Sequence, residues 1–219
     1  MAAGYFGKYT GIVEDNRDDQ KLGQVIVSVP TVFPADELVI ARAALPYGFY
    51  FVPENKAKVW VEFEGGDSGI PLWTGVQYVP GEWPEEAQAD PPEKRVIQTA
   101  VGHRIVFTDT SGSEAIEITD GTNGHVITLD KNGITIKQGQ KNTTLTFADD
   151  GVTLDCEKDV TLKAKGALTI DCEKDLTLKA KGALAIEADG EITITGKKDV
   201  TVDATGKLAA KGNPIHLNP

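Results

Sequence analysis

The strongest constraint on this chain is an eight-residue repeat that fills its last third. Residues 155–170 read DCEKDVTLKAKGALTI and residues 171–186 read DCEKDLTLKAKGALAI. Residues 187–202 and 203–218 keep the pattern more loosely, so 155–218 is a run of eight octads. The sixth and eighth octad positions are apolar: Val160/Leu162, Leu168/Ile170, Leu176/Leu178, Leu184/Ile186, Ile192/Ile194 and Val200/Val202. Residues two apart lie on one face of a strand. A short fixed period of such strands is the mark of a β-solenoid or β-prism. The second position is always small (Cys156, Ala164, Cys172, Ala180, Ala188, Gly196, Ala204, Gly212). It shares parity with the apolar pair and is expected to point inward, where room is short. The two cysteines sit there and read as small core fillers, not as a disulfide or metal pair. The fourth position carries Lys158, Gly166, Lys174, Gly182 and Gly190. Gly accepts unusual dihedrals and Lys prefers water, so the corner of the coil is expected there.

Charge alternates on the outward positions. The first position runs Asp155, Lys163, Asp171, Lys179, Glu187, and the third runs Glu157, Lys165, Glu173, Lys181, Asp189, Lys197. Octads stacked one strand apart set every acid beside a lysine. Exposed cross-strand pairs contribute only about 0.2–1 kcal/mol each. Their larger effect is on register, because a slip of one octad opposes like charges.

A single chain cannot fill such a coil, since each eight-residue side offers about two apolar residues to its interior. Three chains wound on one axis can, with strands pairing between partners and three apolar stripes meeting inside. Eight rungs at about 4.8 Å give a shaft of roughly 40 Å with no free edge along its length.

Upstream, residues 1–80 read as a small barrel. Strands are expected at Tyr9–Val13, Gln24–Val29, Leu38–Ala43, Lys58–Phe63 and Leu72–Gln77, separated by turn residues such as Asp15-Asn16, Pro30, Pro34 and Gly65-Gly66-Asp67. Val59, Val61 and Phe63 alternate cleanly onto one face. Five strands at this spacing suit an OB-like barrel. Residues 81–95 are a Pro- and Glu-rich linker. Residues 96–154 continue the apolar pairs less regularly: Ile105/Phe107, Ile116/Ile118, Ile127/Leu129, Ile134/Ile136, Leu145/Phe147 and Val152/Leu154. Loops such as Ser111-Gly112-Ser113 and Asp120–Gly124 account for the longer steps. The fold expected is therefore all-β: an OB-fold domain over 1–80, the linker, an upper irregular β-helix over 96–154, and a regular octad shaft and tip over 155–219. The two β-helical parts together form an intertwined trimeric triangular β-prism.

Several stretches of the barrel are similar to the central spike proteins of contractile phage tails. They are Gly7-Lys8-Tyr9-Thr10-Gly11-Ile12-Val13, Gly23–Pro30, Gly48-Phe49-Tyr50-Phe51-Val52-Pro53, Val59–Asp67 and Ile70-Pro71-Leu72-Trp73-Thr74-Gly75. The family that the chain resembles includes baseplate assembly protein V, pyocin spikes and the spike part of valine–glycine repeat proteins of type VI secretion. In that family an OB domain precedes a trimeric β-helix ending in a piercing tip, and the two segments occur here in that order. The resemblance implies a homotrimer, a separate hub protein at the OB end, and transient contact with a target cell envelope. It implies no enzyme activity. The lysozyme domain of some members has no room in Pro80–Arg95.

The tip is where a ligand is expected. In octad register His216 takes the sixth, inward position of Lys211–Asn218, so three copies would meet on the axis around a metal such as iron or zinc. Some family members hold iron with a His-x-His pair; His216-Leu217-Asn218 is half of that pattern. A one-residue shift after Pro214 turns Ile215 and Leu217 inward instead, and that is the favoured register. In either case Ile215, Leu217 and Asn218 form a platform for a tip protein of the PAAR-repeat type. No other cofactor is expected. His103 and His125 read as exposed turn residues. Asp149-Asp150-Gly151 reads as a turn, and Asp15, Asp18 and Asp19 as a solvated loop without the spacing of a calcium site.

Charge excludes some partners. Ten of the eleven net negative charges fall in residues 1–154, which disfavours nucleic acid and anionic membranes. An OB-fold nucleic-acid binder is disfavoured in particular by a net charge of −4 over residues 1–80. The alternative from another class is a carbohydrate-binding or carbohydrate-cleaving β-helical tailspike. That needs exposed aromatics and paired carboxylates on the shaft, whereas every Trp and Tyr precedes residue 84. No secretory signal is recognisable at the start. The expected location is therefore a tail baseplate of a virion or a related injection particle, after synthesis in the cytoplasm.

Overall fold

The computed structural model describes residues 4–215. The readings on His216, Leu217 and Asn218 lie outside them. By compactness the chain divides after Thr161.

The front of the chain is a closed five-stranded barrel. Its strands are β1 (Tyr9–Asp15), β2 (Val25–Ser28), β3 (Leu38–Ala43), β4 (Lys58–Phe63) and β5 (Pro71–Val76). They run in the order β1-β2-β3-β5-β4, and β1 pairs with β4 to close the ring. All neighbours are antiparallel except β3 and β5. The expected alternation is realised: Val59, Val61 and Phe63 are buried, with Val13, Val25, Val27, Val29, Ala41 and Trp73. Trp73 is the largest of these, and its indole N–H donates to the Gly23 carbonyl at 2.8 Å. A buried indole needs that partner.

A second sheet follows the linker. It contains β6 (Lys94–Gln98), β7 (Arg104–Thr108), β8 (Ala115–Thr119), β9 (Val126–Asp130), β10 (Gly133–Lys137), β11 (Thr144–Ala148) and β12 (Gly151–Asp155). Each strand pairs antiparallel with the next, forming a simple meander. This corrects the reading of 96–154 as part of an intertwined winding, because these strands pair within their own chain. The physical reason lies in the turns. Each of the six reversals has a residue with positive φ at or beside it: Gly102, Gly112, Gly124, Gly133, Asn142 and Gly151. Tight reversal of a twisted strand pair calls for such a residue. Gly133 is the most constrained, since a Cβ there would lie 1.9 Å from the Phe147 carbonyl oxygen.

Beyond Asp155 the backbone changes character. Among the described residues no further strand pairs within the chain, and none after Gly151 has positive φ. The chain bends instead at 157–158, 165–166, 173–174, 181–182, 189–190, 197–198, 205–206 and 213–214, once per octad. The bends fall on the third and fourth octad positions, where the corner is expected. The expected reason does not hold, however: Gly166, Gly182, Gly190 and Gly206 avoid the left-handed region. Lys158 and Lys174 share their position because the corner demands no special dihedral.

Candidate functional site

The feature of this molecule most in need of a partner is one face of the second sheet. The pairing registers align its apolar residues into two rows. One row runs Ile97, Ile105, Ile118, Ile127, Ile136, Leu145 and Leu154; the other runs Phe107, Ile116, Leu129, Ile134, Phe147 and Val152. The opposite face, along Val106, Glu117, Thr128, Thr135, Thr146 and Thr153, is mostly polar. In a single chain the apolar face is the wet one: Ile118 and Ile136 are each 42% exposed. A contiguous apolar surface of this kind marks an interaction site.

The octads carry the same demand further. Leu162, Leu168, Ile170, Leu178, Leu184, Ile186 and Ile194 are exposed in the lone chain. Their backbone groups lack strand partners within the chain, and unpaired backbone cannot be buried without cost. Among the described residues the alternating charges of 157–215 form no ion pair within the chain either. Within one chain the described octad residues thus lack strand partners, apolar cover and ion pairs alike.

Residues 9–78 match the model of the type VI secretion system/phage-baseplate injector OB domain, and residues 94–210 match that of the phage baseplate V C-terminal trimerisation domain. The chain belongs to the phage baseplate V family. No curated protein matches it. As a baseplate V spike protein it pairs an injector OB barrel with a trimerisation domain, and that domain spans both the bare apolar face and most of the octads. The family is one of structural baseplate and injector components, which makes this chain a part of a virion or injection particle. Among the described residues no helix is long and apolar enough to cross a membrane.

The remaining polar residues singled out in the sequence have structural surroundings. Asp18 accepts the backbone N–H groups of Gln20, Leu22 and Gln24 at 2.7–3.0 Å. These bonds, that from Gln24 foremost, hold its carboxyl below the usual range. Asp15 pairs with the Arg17 guanidinium, whose side-chain hydrogen bonds lower its pKa to about 2. His103 Nδ1 accepts the Gly121 N–H at 3.3 Å, and His125 Nδ1 accepts that of Gly139 at 3.1 Å. Asp149-Asp150 forms the two-residue turn between β11 and β12. Cys156 and Cys172 are free thiols. Ile215, the one described residue of the expected tip platform, is 48% exposed. Among the described residues no three His, Cys, Asp or Glu side chains gather as a metal site.

One aromatic surface of the barrel does not follow from the strand pattern. Tyr47, Phe49, Tyr50 and Phe51 are all exposed on the segment between β3 and β4. The signal was present in the run Pro46–Pro53, where four aromatics lie between two prolines.

Proposed function

We propose that this chain is the homotrimeric central spike of a contractile injection machine, docking under a baseplate hub by its barrel and piercing the target envelope with its C-terminal end. The observation that carries this reading is the apolar surface left bare in one chain, as two aligned rows across the second sheet and again at the sixth and eighth octad positions as far as Leu208. Three copies turned inward about one axis cover it. Over 94–155 three meander sheets pack face to face. From 156 onward the chains wind around one another as a triangular β-prism, each octad crossing one side. The work is mechanical, and it needs neither a catalytic group nor a cofactor. Stiffness comes from hydrogen bonds between chains that leave no edge to fray.

At the far end Ile215, Leu217 and Asn218 serve as a platform for a PAAR-repeat tip protein. In the alternative register three copies of His216 cap the axis with a metal ion. Metal content of chelator-washed trimer separates the two: about one metal per three chains favours the histidine cap.

The whole reading is tested by native mass spectrometry of the purified protein. A trimer that persists in detergent and on warming is expected. A stable folded monomer overturns it.

A further inference from the structure

We infer that residues 79–93, between the two sheets, are a rigid strap that folds back over the outer face of the second sheet, and that Arg104 is the positioning residue that holds it. This rests on the proposed spike, in which axial load passes from barrel to shaft through this segment. Composition alone predicts a semi-rigid spacer. The structure gives it anchors at both ends.

At the barrel end, the Trp83 ring stacks on Tyr78 with centroids 3.9 Å apart and planes 22° from parallel. Between those rings the chain makes a tight turn. The Glu82 N–H donates to the Val79 carbonyl, and the Glu82 carboxylate accepts the Val79 N–H at 2.9 Å. A short 3-10 turn, Glu85–Gln88, follows Pro84, and the Gln88 amide returns to the Trp83 carbonyl at 2.9 Å.

At the sheet end, Glu93 extends the β6–β7 ladder: its carbonyl accepts the Asp109 N–H at 2.8 Å, and its carboxylate accepts the Thr110 hydroxyl at 2.6 Å. Glu86, seven residues earlier, lies with Oε1 3.2 Å from the buried Arg104 Nε, an ion pair made without hydrogen-bond alignment. Arg104 pairs with Gln98, whereas Glu93 sits beyond Lys94, at the other end of β6. Those ends are about 13 Å apart. Residues 86–93 must therefore run back along the sheet for the length of a strand.

The side is fixed as well. Arg104 has the parity of Val106, not of Ile105 and Phe107, so the strap lies on the face away from the apolar rows. On that face Val106 and Thr119 are buried, at 5% and 7% exposure. Arg104 Nη2 also lies 3.8 Å from a Glu117 carboxylate that accepts the Thr119 hydroxyl, at the outer reach of an ion pair. A strap stacked at one end and ion-paired over a strand length from its other tie cannot pivot freely. Barrel and second sheet move as one body, and the apolar face stays clear for the partner chains.

The test places spin labels on Asp36→Cys in the barrel and Asp149→Cys in the sheet, with Cys156→Ala and Cys172→Ala. Labelled chains are diluted into unlabelled protein, so that only the distance within a chain is read. A narrow distribution is expected. Arg104→Gln combined with Trp83→Ala should broaden it, and should raise cleavage by a Glu-specific protease at 82–93 by about tenfold as local opening becomes easier. A broad distribution without the strap substitutions, or one that they leave unchanged, overturns the inference. The same samples weighed by native mass spectrometry report the trimer separately, so loss of that reading is not confused with loss of this one.

Discussion

The two sheets of this protein use the same strand alphabet and meet opposite fates. In the barrel, Val59 and Val61 are fully buried within one chain. In the second sheet, Ile116 and Ile118 occupy the same alternating pattern and stay 37% and 42% exposed. The barrel curls until its own strands supply the opposing layer. The meander stays open, so its opposing layer must come from elsewhere. Alternation therefore says that a face is to be buried, and closure of the sheet says by whom.

The largest effect is expected from a charge placed in the apolar rows. Ile127→Asp places three carboxylates in the proposed trimer interior, at a cost of several kcal/mol per copy. Trimer should be lost by native mass spectrometry, while the barrel, followed by Trp60 and Trp73 fluorescence, keeps its own melting transition. The reciprocal change is Trp73→Ala. It should cost the barrel about 3–5 kcal/mol in denaturant melts and leave the trimer assembled.

Turn chemistry sharpens the contrast between meander and octads. Gly133→Ala meets both a positive φ and the Phe147 carbonyl, and should destabilise the second sheet by more than about 1 kcal/mol. Gly166→Ala meets neither. Its melting temperature should stay level or rise slightly, as less freedom is lost on folding. Equal losses at both sites would erase the distinction drawn between them.

The smallest effect is expected from the charge ladders. Lys163→Glu with Lys179→Glu opposes like charges between chains. Exposed pairs are individually weak, so a modest fall in melting temperature is expected, partly restored by about 0.5 M salt. A melt that does not move would leave the alternation without a role in register.

Much of this was legible in the sequence because local rules govern it. The bounds of β3 and β4 are those expected, and β1, β2 and β5 shift by one or two residues, since burial and turn residues agree there. The octad bends fall where Lys and Gly alternate. Two things were hidden. Apolar pairs at steps of seven or eleven look like octads stretched by loops, yet a five-residue strand with a two- or six-residue reversing turn produces the same steps. Only the dihedrals at positions such as Gly133 and Gly151 separate a hairpin from a corner. The strap was hidden because Glu86 and Arg104 are eighteen residues apart in sequence, and neither is unusual until the chain folds back. The tip residues past Ile215 are legible only as a pattern.

Corners that ask for no particular dihedral also bear on how such a protein changes length. A meander can be extended only by inventing another reversal, with a glycine or asparagine in the right place. The octad segment has no such toll: DCEKDVTLKAKGALTI is followed by nearly the same sixteen residues, as if copied. In the proposed winding each such copy adds two rungs, about 9.6 Å of reach, without disturbing the barrel, the strap or the packing above. For the proposed spike, length then becomes a matter of gene arithmetic, adjustable in sixteen-residue steps to the depth of the envelope it is proposed to pierce.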